Sequence, residues 1–199
     1  MSMIHLKPED YVCSTWSGGT TTQIFIAPEG VLYADRNFLW RLSSATVDLE
    51  QSDFTSLPDY NRYIATLEGE IDVVHNQGEP IHLAPYKIHA FDGGAETKSF
   101  GRCRDFNLML RKGRCEGLLE SVCTEGSVDV SACEAAKASS DANLVLYLSE
   151  GTAIVEANGE TVQLQAGESV MIRDVKCDVC VSSDAPALLM KAQIWKCSR

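Results

Sequence analysis

Residues 67–74 of the chain read LEGEIDVV, residues 148–155 read LSEGTAIV, and these two stretches decide the fold. In each, a strand-like run ends near a glycine, Gly69 or Gly151, and a second run with alternating apolar residues follows. Each then continues through a tight turn into another strand signal, at 81–85 and 162–167. The copies lie about eighty residues apart, which is too far for stacked solenoid repeats and favours a duplicated domain.

Strand signals continue outward from both stretches. Asn158-Gly159 predicts a type I′ hairpin turn, because both residues tolerate a positive φ. A small, polar segment at 131–143, with one helical turn at 135–138, separates two sets of short strands. The predicted strands are 22–27, 38–49, 62–67, 71–75, 80–83, 87–91, 104–111, 144–148, 152–157, 161–165, 169–173, 175–181 and 187–195. Many short strands at regular spacing indicate a β-sandwich or barrel.

This order of strand, glycine, strand, proline or alanine turn, and strand resembles the cupin superfamily, and its duplication resembles a bicupin. We therefore predict an all-β fold with two double-stranded β-helix (cupin) barrels per chain. Residues 1–115 form an N-terminal barrel with a ligand pocket. Residues 116–199 form a smaller C-terminal barrel. Strands from the N-terminal part of the chain can cross over to complete this barrel.

Composition narrows the function. The chain has 199 residues, 45% of them hydrophobic, so it can bury a core. Its 17 basic and 28 acidic residues give a net charge of −11, which disfavours binding to nucleic acid or anionic membranes. No apolar run approaches the roughly 20 residues of a membrane span, and no export signal opens the chain. We expect a soluble, cytoplasmic protein, with a homodimer as one compatible assembly.

The cysteines and histidines do not predict a metal centre. The eight cysteines are irregularly spaced, and the pair Cys177 and Cys180 lacks further zinc ligands, so free thiols are expected. Where metal-binding cupins carry a ligating glutamate, seven residues before the glycine, this chain has Arg62 and Leu144. Only His82 and His89 are placed to face the first barrel, and two imidazoles are too few. We predict no metal and no other cofactor.

Polar residues occur at alternating positions on two strand segments. Alternation puts Arg41 and Ser43 on one face of a strand. It likewise puts Asp105 and Asn107 opposite the apolar face of another strand. A buried Asp105 needs a cation, and Arg41 and Arg62 are the ones available. These groups form either a pocket that grips a carboxylate or amide ligand, or an internal salt bridge that holds the barrel together.

Further motifs extend over most of the chain. They are Trp16-x-Gly18-Gly19-x-x-Thr22-x-Ile24, Trp40-Arg41-x-Ser43, Asp53-Phe54-Thr55-x-x-Pro58, Arg62, Leu67-Glu68-Gly69, Phe91-Asp92-Gly93, and Gly101 with Asp105-Phe106-Asn107-Leu108-Met109. Together they resemble the HutD/Ves family from about residue 6 to residue 195, most densely before Arg111. The family often has Asn where Ser17 stands and an acidic residue where Gln23 stands.

The resemblance implies a bicupin without established catalytic activity. HutD proteins are associated with histidine utilisation, where they are thought to sense or buffer an intermediate such as urocanate or formylglutamate. The Ves branch is linked to stress or cold response.

We hypothesise a binding protein, not an enzyme, whose first barrel holds a small carboxylate-bearing metabolite. The predicted ligand-binding residues are Trp16, Gly18, Gly19, Thr22, Arg41, Ser43, Arg62, Asp105 and Asn107. One alternative is a metal-independent isomerase or lyase that uses His89 or His82 as general base. Another is a scaffold that associates through its sheets.

Overall fold

The computed structural model describes residues 2–197. Strands account for 63% of the structure and helices for 6%, which confirms the all-β class. In chain order the strands are β1 (Ser2–Leu6), β2 (Val12–Trp16), β3 (Gly19–Ala27), β4 (Trp40–Val47), β5 (Gln51–Asp53), β6 (Tyr60–Glu68), β7 (Ile71–His75), β8 (Ile81–Leu83), β9 (His89–Asp92), β10 (Thr97–Phe100), β11 (Cys103–Arg111), β12 (Cys115–Asp129), β13 (Ala142–Glu150), β14 (Thr152–Ala157), β15 (Glu160–Gln165), β16 (Ser169–Arg173) and β17 (Val179–Lys196).

Helical structure is limited to one short helix and two single turns in the described part. The helix α1 (Glu134–Ala138) lies in the segment predicted as a loop with a helical turn. The two 3-10 turns are Pro8–Asp10 and Tyr33–Asp35. Within residues 2–197 no helix has the length and apolar character that a membrane crossing requires. The eight cysteines are free thiols.

The chain forms two compact units. One is Tyr11–Arg114, and the other combines the residues before it with those after it. The Tyr11–Arg114 unit contains a six-stranded sheet in the order β2-β3-β4-β11-β6-β9 and a four-stranded sheet in the order β5-β10-β7-β8. Apolar residues of both sheets pack together, among them Ile64 of β6 and Val73 of β7, each fully buried. This core joins the two sheets.

The second unit is a seven-stranded sheet around a larger apolar core. Its order is β1-β16-β13-β17-β14-β15, and β12 also pairs with β17. The first strand of the chain thus pairs with β16, antiparallel, at the edge of a sheet made from C-terminal residues. The core cluster is almost entirely aliphatic and includes Leu144, Leu146 and Leu148 of β13, each at 0% exposure.

The repeated glycines have the same physical role in both units. Gly69 has φ +74° and Gly151 has φ +86°, values that side chains disfavour. An added Cβ would lie 2.5 Å from the Arg102 carbonyl oxygen at Gly69 and 2.8 Å from the Pro186 carbonyl oxygen at Gly151. Glycine is therefore required at both strand junctions. The predicted hairpin turn is confirmed as well, because Asn158 and Gly159 have φ values of 49° and 78°.

Several strands escaped sequence prediction. β12 was missed because its apolar residues do not alternate: Leu118 is exposed, whereas Gly117 and Thr124 are buried. The segments predicted at 175–181 and 187–195 are wrong as two strands, since β17 runs continuously from Val179 to Lys196. Pro186 lies where the pairing of β17 with β12 is interrupted, a position at which a ladder donor is not needed.

Candidate functional site

A cavity of about 330 Å³ lies on the inner face of the six-stranded sheet in the Tyr11–Arg114 unit. Alternate residues of two neighbouring strands form one side of its wall. These are Arg41, Ser43, Ala45 and Val47 of β4 and Asp105, Asn107 and Met109 of β11. The predicted alternation is therefore confirmed, and Phe106, Leu108 and Leu110 lie on the opposite, buried face.

The pairing register aligns the polar residues in rows across the sheet. One row is formed by Arg41, Met109, Arg62 and Phe91. The next row is Ser43, Asn107, Ile64 and His89. Because register partners share a face, the two arginines lie on either side of Met109. Sequence reasoning placed them together through charge, and the register supplies the geometric reason.

Arg41 is buried and bound by neutral groups. Its Nε donates to Gln23 Oε1 at 2.9 Å and its Nη1 donates to Ser43 Oγ at 2.9 Å. Its guanidinium also lies 4.3 Å from the centre of the Tyr33 ring. Burial lowers the pKa of Arg41, against a smaller opposing effect of Tyr33 and Asp105. No acidic side chain among the described residues forms an ion pair with it.

The guanidinium of Arg62 has fewer hydrogen-bond partners than that of Arg41. Its one hydrogen bond to the described protein is a long one, from Nη1 to the Thr55 carbonyl oxygen at 3.4 Å. The guanidinium lies 5.0 Å from the centre of the Phe54 ring and 5.1 Å from that of Phe91. Burial lowers the pKa of Arg62 to about 10. A cation in this position is held by ring faces rather than by a carboxylate.

Asp105 does not form the predicted salt bridge. Its Oδ1 accepts a hydrogen bond from the Ala45 backbone N–H at 2.9 Å, and no ion pair joins it to Arg41 or Arg62. Burial raises the pKa of Asp105 to about 6, although that hydrogen bond and the two arginines act in the opposite direction. The prediction of an internal salt bridge that holds the barrel together is therefore wrong. The charges of Asp105 and the two arginines interact, but no ion pair joins them.

Two buried polar atoms that belong to the cavity wall have no hydrogen-bond partner within residues 2–197. They are Arg62 Nε, a donor, and Asn107 Oδ1, an acceptor. A buried polar group without a partner costs about 1–3 kcal/mol. Such groups are rare in folded proteins and are commonly satisfied by water or a ligand. The site thus offers one free donor on a cation and one free acceptor on an amide.

The structure brings together six of the nine predicted site residues, since Trp16 also lines the cavity with the four residues on β4 and β11 and with Arg62. Gly18 and Gly19 do not line it. An added Cβ at Gly18 would collide with the Trp16 ring, so this glycine makes room for the indole. Thr22 is on the other face of β3, where its hydroxyl lies 3.5 Å from Cys13 Sγ. Thr21 lines the cavity instead.

Sequence reasoning missed Tyr33 and Phe54, which both line the cavity. Tyr33 belongs to a single 3-10 turn, and its ring contacts the guanidinium groups of Arg36 and Arg41 at 4.1 and 4.3 Å. No local pattern marks it, because the contact depends on a loop that folds back onto β4. Phe54 was quoted within a motif, and only its ring contact with Arg62 shows its place in the wall.

The histidines lie outside the cavity wall. The prediction that His82 faces the barrel interior is wrong, because its side chain is 58% exposed and pairs with Glu70 and Asp72 on the surface. Strand β8 has only three residues, and His82 is on its outer side. His89 faces inward but its Nε2 contacts His75 Nε2 at 2.8 Å. Neither imidazole lines the cavity.

The cavity residues do not fit a metal ion. The position of the expected cupin glutamate holds Arg62, whose cationic group would repel a metal ion. In the part of the chain that the structure describes, no group of three or more His, Cys, Asp or Glu side chains is arranged to hold a metal. Besides the carboxylates of Asp53 and Asp105, the wall offers hydroxyl, amide and guanidinium groups, and the guanidinium groups suit an anion.

The HutD family model matches residues 8–189, which is most of the chain. The chain belongs to the HutD family. No curated protein matches its sequence. The matched range includes all the strands that line the cavity.

Solved structures show the same fold. A conserved protein of unknown function, PA5104 from Pseudomonas aeruginosa PAO1, is 25% identical with a TM-score of 0.85, over 98% of this chain and 99% of that chain. HutD from Pseudomonas fluorescens SBW25 is 21% identical with a TM-score of 0.78, over 99% and 100%. YhhW from Escherichia coli is 10% identical with a TM-score of 0.70, over 96% and 97%. This HutD-family chain therefore has a cupin-like fold.

Proposed function

We propose that the Tyr11–Arg114 unit binds a small metabolite that carries a carboxylate and an N–H donor. The observation that supports this most strongly is the pair of buried arginines, Arg41 and Arg62, which form no ion pair with any carboxylate among residues 2–197. A buried cation without a counter-charge is costly, whereas an anion that enters the cavity removes this cost. The protein keeps an unfavourable arrangement that a ligand would relieve.

Each contact of the proposed ligand follows from a free group. The carboxylate binds to Arg62, whose Nε is unpaired, and a guanidinium holds a carboxylate through two parallel hydrogen bonds. The N–H group donates to Asn107 Oδ1, the unpaired acceptor. Trp16, at 37% exposure, provides an apolar wall. A cavity of about 330 Å³ suits a small metabolite, because small-molecule pockets typically measure about 300–1000 Å³.

A second negative charge on the ligand is favoured by the surroundings. Arg36 lies close enough to lower the pKa of both Arg41 and Arg62, so three guanidinium groups share this region. Asp105 is a buried carboxylate among them, and even when it is ionised it offsets only one of the three positive charges. A dicarboxylate therefore matches the local charge better than a monocarboxylate.

The family gives this binding activity a biological setting. Trp16, Arg41, Arg62 and Asp105 lie within residues 8–189, which match the HutD family model, and the P. fluorescens HutD structure was obtained in a formate condition. We extend the proposal to a regulatory or sensing role in the cytoplasm, in histidine utilisation, with formylglutamate and urocanate as candidate ligands. We further propose that both units are cupin barrels, so that the chain is a bicupin.

The enzymatic alternative has no geometric support. Neither His89 nor His82 lines the cavity: His89 is hydrogen-bonded to His75 and His82 pairs with Asp72 on the surface, so neither is placed as a general base for a ligand there. A binding role needs no general base. The sheet-mediated scaffold has no specific observation in its favour either.

Isothermal titration and thermal-shift measurements test the binding proposal. The panel should contain N-formyl-L-glutamate, urocanate and formate, with the uncharged amides of the first two as matched controls. We expect the N-formylated dicarboxylate to bind more tightly than formate and the amides not to bind. If no acid in the panel stabilises the protein at millimolar concentration, or if the amides bind equally well, the proposal is wrong.

A further inference from the structure

Two histidines meet head to head between the two sheets of the Tyr11–Arg114 unit. His75 ends β7 of the four-stranded sheet and His89 begins β9 of the six-stranded sheet. Their Nε2 atoms are 2.8 Å apart, their ring centres are 5.1 Å apart and their planes differ by 25°. The centre separation equals the nitrogen separation plus one ring radius on each side. The two nitrogens therefore point directly at each other in nearly coplanar rings.

The surrounding hydrogen bonds decide where the protons are. Thr97 Oγ1 donates to the Ala95 carbonyl oxygen at 3.1 Å, so it accepts from His75 Nδ1 at 2.8 Å. Neutral His75 then carries its proton on Nδ1 and offers a lone pair on Nε2. His89 must supply the proton of the Nε2 contact, which leaves its own Nδ1 as the basic atom. Each tautomer follows from the chain of donors and acceptors.

This arrangement accepts one proton and resists a second. The first added proton goes to His89 Nδ1, and the Nε2 hydrogen bond becomes charge-assisted and stronger. A second proton would have to go to His75 Nε2. Two N–H groups would then face each other across 2.8 Å, and the contact would break.

Phe91 connects this pair to the anion site. Its ring centre lies 4.8 Å from that of His75 and 5.8 Å from that of His89, while the Arg62 guanidinium lies 5.1 Å from the same ring. Burial lowers the pKa of His75, and His89 and Arg62 lower it further. Burial likewise lowers the pKa of His89, with a smaller contribution from Lys87.

The positively charged groups on the neighbouring elements lower the pKa of the histidine pair. Arg62 of β6 and Lys87, in the connection before β9, both oppose a positive charge on the pair. The carboxylates nearby are engaged elsewhere: Glu96 with Lys98, Asp72 with His82, and Asp92 with Lys112. Asp53 of β5 lines the cavity and is exposed. The charge of Arg62 is therefore the one that a ligand can neutralise.

We propose that His75 and His89 form a one-proton switch that couples proton uptake to anion binding at Arg62. The coupling rests on the proposed function, because it needs an anion at that arginine. Neutralising Arg62 removes a cation that opposes protonation of the pair, so the pair takes up its proton more readily when the anion is bound. By reciprocity, a protonated pair strengthens anion binding, and affinity rises as the pH falls through the titration of the pair.

Nuclear magnetic resonance of the imidazole nitrogens tests the switch. The chain has four histidines, so single substitutions assign every signal. At high pH we expect His75 as the Nδ1–H tautomer and His89 as the Nε2–H tautomer. With saturating formate as probe, the proton affinity of the pair should rise about fivefold, the low end of coupling between sites. Formate does not titrate in this range, and formamide at equal ionic strength is the uncharged control.

Matched variants separate coupling at Arg62 from the general electrostatic screening that added formate ions cause. His82, paired with Asp72 on the surface, is the internal control and should not shift with formate. Arg62→Leu should raise the proton affinity of the pair without formate and abolish the response to it. His89→Phe should remove the response while Asp105, which titrates nearby with a pKa of about 6, stays in place.

Each outcome decides the proposal. A formate-dependent shift of His75 and His89, lost in Arg62→Leu, supports the switch. If formate binds but the pair shifts no more than His82, the coupling is wrong and the binding function stands. If calorimetric titration at millimolar formate shows no binding in wild type, as in Arg62→Leu, both the function and the coupling fail. The opposite tautomers at high pH would overturn the proton assignment.

Discussion

Strands β6 and β13 occupy equivalent places before Gly69 and Gly151, yet their inner faces differ at two of three positions. In β6 the residues are Arg62, Ile64 and Thr66, and in β13 they are Leu144, Leu146 and Leu148. The three leucines are fully buried in an aliphatic core. On β6, Arg62 faces a cavity, and the buried Thr66 hydroxyl has no hydrogen-bond partner in the described chain. One strand pattern thus supports two different interiors.

The difference separates stability from binding. An inner face filled with leucine contributes hydrophobic burial of about 1.5–3 kcal/mol per side chain. An inner face that keeps a buried cation and unpaired polar atoms gives up stability, and such sites are typically functional. The repeated strand pattern therefore specifies the sheets, while a few inward positions determine whether a unit has a filled apolar core or a polar cavity.

The largest expected effect is on the filled side of the comparison. Leu144→Ala should lower the free energy of unfolding by about 2–5 kcal/mol, because Leu144 is fully buried and leaves a cavity. Anion binding in the other unit should not change. Denaturant unfolding with and without ligand measures both. Leu118→Ala is the matched control, since Leu118 is 40% exposed and should cost less than about 0.5 kcal/mol. A cost below 1 kcal/mol for Leu144→Ala would contradict the comparison.

The converse substitution makes β6 resemble β13. Arg62→Leu should reduce carboxylate affinity by about a hundredfold, because the free guanidinium is lost. It should leave the unfolding free energy unchanged or raise it by about 1–3 kcal/mol, since an unpaired buried charge is replaced by an apolar group. Calorimetric titration and thermal unfolding measure these effects. Arg102→Leu, at an exposed pair with Glu50, is the control and should retain binding.

Asp105→Asn tests the polar inner face through the pH dependence of the free energy of unfolding. Burial raises the pKa of Asp105 from 3.8 to about 6, so its favourable contribution to folding is fully present below about pH 4 and is lost as the pH rises through about 6. Asparagine has no such loss and still accepts the Ala45 N–H bond. At pH 7 the variant should be more stable than wild type by about 1–3 kcal/mol, with little difference at pH 4. Identical pH profiles would refute the buried, unpaired state of Asp105.

The smallest effect concerns the neutral partner of Arg41. Gln23→Glu would place a carboxylate where an amide now accepts a hydrogen bond from Arg41 Nε at 2.9 Å. The built-in charge should compete with a bound anion and weaken it by about 1 kcal/mol, or about fivefold. Calorimetry detects this change. Gln163→Glu, at an exposed position of β15, adds the same charge elsewhere and should leave affinity unaltered.

Sequence reasoning recovered those parts of the site that depend on strand alternation. Once β4 and β11 are strands, Arg41 and Ser43 must share a face, and so must Asp105 and Asn107. The glycine at each strand junction was equally predictable, because a backbone carbonyl closes off the space for a side chain. These features depend only on the period of a strand and on local sterics.

The rest depends on tertiary geometry. Thr22 was chosen over Thr21 because motif matching gives no inward or outward direction for β3. Tyr33 reaches the arginines through a loop, which has no period to interpret. The head-to-head contact of His75 and His89 joins strands of different sheets, so neither position alone predicts it.

The most direct test of the central claim is a crystal structure of the protein grown with N-formyl-L-glutamate. The account predicts a carboxylate in the cavity, bound by Arg62 through Nε and Nη, with the ligand N–H donating to Asn107 Oδ1. A ligand-free cavity in which Arg62 forms an ion pair with Asp105, or a metal ion in its place, would contradict it.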